Sequence, residues 1–87
     1  MKTSFLLMAQ YHGAAIIPVS TVVRDYFPHL TPEKFVRKVS LGEIQIPLIR
    51  IEASSQKSAK GVHLVDLAEY IDARRAAAVE EMQRLMA

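Results

Sequence analysis

The chain has 87 residues, 51% of them apolar, with 11 Lys and Arg against 9 Asp and Glu and no cysteine. That length holds one modest hydrophobic core. The missing thiols exclude disulfide staples, zinc-thiolate sites and cysteine nucleophiles, and point to a reducing cytoplasm. No apolar run approaches the roughly 20 residues that span a bilayer, so no membrane partner is expected.

The opening run Phe5-Leu6-Leu7-Met8-Ala9 is broken by Gln10, Tyr11 and His12. It is shorter than the roughly 7–15 apolar residues of a secretory leader, so it reads as a helix of the domain. Thr3 or Ser4 is placed to cap this helix, which runs to about Tyr11 and is closed by Gly13. Ala15-Ile16-Ile17-Pro18 is extended, because a residue before proline avoids the α region. Ser20 is the next expected cap, for a short helix over Thr21 to Phe27 that Pro28 ends.

A third helix carries the strongest local signals: Thr31 as cap, Pro32 at its first position, Glu33 in its first turn and Gly42 as its terminator. The run Ile44, Ile46, Leu48, Ile49 and Ile51 reads as a strand, placed at a sheet edge or start by Pro47. Ala53 to Gly61 forms a polar basic loop, Val62-His63-Leu64 returns as a strand, and a long helix begins near Val65. The expected fold is mainly α with a small β-hairpin: a winged helix-turn-helix over residues 1–73, followed by a helical extension over 74–87.

Charge is unevenly placed. Residues 29–64 carry six cations against three carboxylates, whereas residues 65–87 carry three against five. A basic middle suits a polyanion, and the acidic end suits another task. At about 100° per residue, Lys34, Arg37 and Lys38 share an arc of roughly 100° on the third helix, with Phe35, Val36 and Val39 on the other side. One face can bury while the other presents long cations to phosphates and base edges. The loop adds Arg50, Ser55, Gln56, Lys57, Ser58 and Lys60, hydroxyls, an amide and cations suited to phosphate. Either surface alone would be an ordinary solvated face. Both on one wall of the molecule would make a DNA surface.

Catalytic readings have little to stand on. His12, His29 and His63 are scattered without metal-ligand spacing, and no Gly-rich phosphate loop occurs. Ser20 and Thr31 are explained as caps, and Asp66, Glu69 and Asp72 as a solvated acidic helix face. No enzyme activity, cofactor or metal is expected. In the last helix, Leu64, Leu67, Ala68 and Ile71 can cover the core, while Ala78, Val79, Met82, Leu85 and Met86 continue at helical spacing beyond it. That continuation is either a contact for a second protomer or a frayed end.

Several blocks carry a likeness to a known family: Phe5-Leu6-Leu7-Met8-Ala9-Gln10-Tyr11 with Ile17-Pro18, Asp25-Tyr26-Phe27-Pro28, Gly42 with Pro47 and Arg50, Ser55-Gln56-Lys57-Ser58, Val62-His63-Leu64, and Leu67-Ala68-Glu69-Tyr70-Ile71-Asp72. Over about residues 3–73 the chain resembles the pyocin activator protein (PrtN) family of bacterial and prophage-type regulators. The resemblance implies a transcription activator that binds DNA boxes upstream of genes for phage-tail-like bacteriocins, within a DNA-damage response. It also implies that Arg50, Ser55, Gln56, Lys57 and Ser58 belong to the DNA surface.

The expectation is therefore a cytoplasmic activator that binds double-stranded DNA. Lys34, Arg37 and Lys38 would lie in the major groove, with Thr31 on a phosphate. Arg50, Gln56, Lys57 and Lys60 would lie on the backbone or in the minor groove. The terminal helix would meet a second copy of the chain or RNA polymerase. An excisionase-like architectural protein and a protein-interaction adaptor are the alternative readings.

Overall fold

Proline and glycine set most of the boundaries in this chain. The computed structural model describes residues 2–55 and 59–87. Among them the order is α1 (Thr3–Gln10), β1 (Ile16–Pro18), α2 (Val19–Tyr26), α3 (Pro32–Ser40), β2 (Ile49–Arg50), β3 (Lys60–His63) and α4 (Leu64–Met86). The described chain is thus mainly helical, with one small antiparallel sheet in the order β1-β3-β2.

α3 begins as its sequence prescribes: Thr31 Oγ1 accepts the Lys34 amide at 3.2 Å, and Pro32 opens the helix. It ends where Gly42 takes φ +76°, letting the amides of Gly42 and Glu43 reach the carbonyls of Val39 and Lys38. The first two helices depart from expectation at their starts. Neither Thr3 nor Ser4 caps α1; Lys2 holds that position with no side-chain bond, and the Thr3 hydroxyl donates instead to Asp72 Oδ1 at 2.6 Å. Ser20 does not cap α2, because Pro18 leads straight into a helix beginning at Val19. At the far end of α1 the left-handed step is taken first by His12 (φ 54°) and then by Gly13 (φ 76°), whose amide reaches the Met8 carbonyl at 2.8 Å.

The Ile44–Ile51 strand is largely absent. Only Ile49 and Arg50 pair with β3, and the chain over residues 43–48 is irregular. Pro47 lacks the amide that a ladder needs. Ile44 and Ile46 nevertheless keep the two-residue alternation and are both buried, while Gln45 between them is exposed. β3 starts at Lys60, earlier than Val62, and gives up Leu64 to the next helix. α4 runs unbroken through residue 74.

β3 is the centre of the sheet. Ile17 faces Val62 across one edge, and Ile49 faces Gly61 across the other. The core gathers Leu7, Ile17, Val22, Val23, Phe27, Phe35, Val62, Leu64 and Leu67. Phe27 joins three helices: its ring lies 4.9 Å from Phe35 of α3 and 5.8 Å from Tyr70 of α4, both tilted. α1 packs on α4, with Leu7 buried in the core and Thr3 bonded to Asp72, leaving Phe5, Leu6 and Met8 about half exposed.

Candidate nucleic-acid interface

α3 is anchored by one side and open on the other. Phe35 is fully buried (0% exposed), and Val36 and Val39 are half-buried against the core. Burying a Phe side chain contributes about 1.5–3 kcal/mol, enough to fix which face of a nine-residue helix turns inward. Lys34 and Arg37 are consequently exposed, and among the described residues neither has a carboxylate within 4 Å. Thr31, also exposed, stands at the entrance of this face with its hydroxyl oxygen on the Lys34 amide.

Lys38 differs from the other two cations. Its ammonium lies 3.5 Å from Glu43 Oε1, just beyond the glycine turn that ends α3. Helical periodicity alone puts all three cations together on one free face, because it does not show where the chain goes after Gly42. A pair this exposed contributes little, and a phosphate can displace the carboxylate.

The β2–β3 hairpin sets Arg50 directly opposite Lys60, with Ile49 opposite Gly61. Two like charges at directly paired positions oppose the pairing by a few tenths of a kcal/mol or more, and an anion placed between them removes that cost. Ser55 is half-buried and its amide reaches the Glu52 carbonyl at 3.2 Å. Gln56, Lys57 and Ser58 lie outside the described residues.

Two features were not visible in the sequence. One is a polar network that ties α1 to α2. The Tyr11 hydroxyl donates to Asp25 Oδ2 at 2.7 Å, Arg24 Nε donates to Asp25 Oδ1 at 2.9 Å, and the Tyr26 hydroxyl donates to Gln10 Oε1 at 2.8 Å. Arg24 and Asp25 are neighbours in sequence, whereas Tyr11 stands 14 residues from Asp25, beyond the reach of any local pattern. Arg24 and the Tyr11 hydroxyl hold the Asp25 carboxyl below its ordinary pKa. The other is His63, the last residue of β3, whose Nδ1 accepts the Val65 amide at 3.1 Å and caps α4.

Among the described residues no group of three or more His, Asp or Glu could hold a metal ion, and no helix is long and apolar enough to cross a membrane. A family model described as pyocin activator protein PrtN matches residues 3–78. No curated protein and no solved structure matches.

Proposed function

Because this chain belongs to the pyocin activator protein PrtN family, we propose that it is a sequence-specific activator of transcription that binds double-stranded DNA as a winged helix-turn-helix. α2 and α3 form the helix-turn-helix, with Phe27 and Thr31 as caps and Pro28-His29-Leu30 as the turn between them. α3 enters the major groove. The β2–β3 hairpin is the wing and lies along the backbone or in the adjacent minor groove.

One observation carries this reading: Phe35 is wholly buried, while Lys34 and Arg37, on the opposite side of the same helix, are exposed. Such a helix is held rigidly by its apolar face and offers cations with a reach suited to phosphates and base edges. Thr31 adds a hydroxyl at the helix entrance, where it can donate to a phosphate while its oxygen still accepts the Lys34 amide. Arg50 and Lys60 supply a second pair of cations whose mutual repulsion a phosphate relieves. Activation then follows from contact between the DNA-bound chain and RNA polymerase.

Selecting bound sequences from a random duplex pool with the full chain tests this. Enrichment of one sequence motif is expected, with affinity falling steeply with salt. Lys60→Ala should reduce the salt slope by about one, and Arg37→Ala should cost about 1–3 kcal/mol and relax preference at one or two base pairs. A pool that stays random, with affinity indifferent to salt, overturns the proposal.

A further inference from the structure

α4 carries a stripe whose residues alternate three and four apart: Ala68, Ile71, Arg75, Ala78, Met82 and Leu85. This is the seven-residue repeat of a helix that packs along another helix. Its first turns are covered by the chain's own core, with Ala68 only 4% exposed. Beyond Ile71 the same stripe leaves the core: Met82 is 51% and Leu85 81% exposed. A lone helical stretch of that length is marginal in water, so its apolar seam calls for a second helix.

The surface that fits it lies at the base of α4. There Tyr26, Phe27, His29, Tyr70 and Ile71 line an apolar groove of about 310 Å³, with Arg74 at its rim. The charges beside the stripe specify the direction of docking. Arg74 immediately precedes the seam residue Arg75, and Glu81 immediately precedes the seam residue Met82, so both flank the stripe on the same side. Among the described residues neither has an oppositely charged partner within 4 Å. In an antiparallel pair of identical helices, aligning Arg75 with Ala78 of the second copy brings Ile71 opposite the second copy's Met82. The same alignment puts Arg74 beside the second copy's Glu81, and two-fold symmetry repeats every contact. The small Ala78 leaves room for the Arg75 stem to lie along the seam. A parallel, in-register pairing would instead set Arg74 beside Val79 and Glu81 beside Met86 of the second copy, leaving both charges without a partner.

We propose that the partner of this face is a second copy of the chain, docked antiparallel so that Met82 and Leu85 of each copy fill the Tyr26–Phe27–Tyr70 groove of the other. The dimer does not depend on the DNA-binding reading, and its test needs no DNA.

Sedimentation equilibrium of the full chain should give twice the chain mass. Leu85→Lys, at an exposed position where a cation suits the helix end, should give a monomer with unchanged helical circular dichroism. Arg74→Glu and Glu81→Arg should each weaken the dimer by about tenfold or more, and the double exchange should restore it. A monomeric wild-type chain, a Leu85→Lys dimer of wild-type strength, or a double exchange no tighter than either single change each overturns the proposal.

Discussion

The Tyr11 hydroxyl donates to Asp25 Oδ2 at 2.7 Å, fastening the end of α1 to the last turn of α2. Burial first, and then the bond to Asp25, push the Tyr11 phenol above its ordinary pKa; Arg24 and then Tyr11 pull the Asp25 carboxyl below its own. A raised phenol pKa contributes stability that is fully present below the ordinary value of about 10 and is lost as pH rises toward the folded value. A lowered carboxyl pKa contributes stability that is present above the ordinary value of about 3.9 and is lost as pH falls through the folded value. Tyr11→Phe should therefore melt below the wild type at neutral pH, and the gap should narrow as pH passes the ordinary phenol value. Thermal melts across that range check this, and a gap that widens there contradicts it.

The face of α3 that meets solvent and the face that meets the core should separate cleanly by mutation. Lys34→Ala and Arg37→Ala should change folding stability by no more than about 0.5 kcal/mol, as substitutions at exposed positions do. Each should nevertheless weaken DNA binding, with the salt slope falling by about one per lost phosphate contact. Phe35→Ala should cost about 3–5 kcal/mol and remove binding by unfolding the domain. Urea titrations beside mobility shifts would show the two classes apart.

Gly61 is fixed by proximity rather than by an unusual backbone angle. A Cβ at this position would lie 2.5 Å from Ile16 Cγ2 and 3.0 Å from the Ile17 carbonyl oxygen. β1 would have to move away from β3, opening the sheet beneath the Ile17–Val62 pair. Gly61→Ala should cost about 1–3 kcal/mol in chemical denaturation, the usual range for overpacking.

Two helix starts depend on single side chains, Thr31 for α3 and His63 for α4. Thr31→Ala and His63→Ala should each destabilise by about 1 kcal/mol, while His63→Asn, which keeps an acceptor at the cap, should recover most of the loss. Because Thr31 also stands at the proposed DNA face, Thr31→Ser should keep both stability and binding. Calorimetry on the four variants distinguishes a capping role from a general loss of packing.

The sequence was enough wherever neighbouring residues decide the backbone. Thr31, Pro32 and Gly42 define α3 because a cap, a fixed φ and a left-handed step each act within one turn. The separation of Phe35 from Lys34 and Arg37 follows from helical periodicity alone. Local signals failed where a distant group competed. The Thr3 hydroxyl left the α1 cap for Asp72, and Pro18 made Ser20 unnecessary as a cap. The apolar run after Gly42 kept its burial pattern but lost most of its strand around Pro47, which has no amide to donate to a ladder. Pairings between residues far apart in the chain belong to the tertiary structure alone: Arg50 opposite Lys60, Lys38 turned toward Glu43 beyond the glycine turn, and Tyr11 reaching Asp25. A strand register or an interhelical bond depends on how whole elements pack, and no window of sequence holds that information.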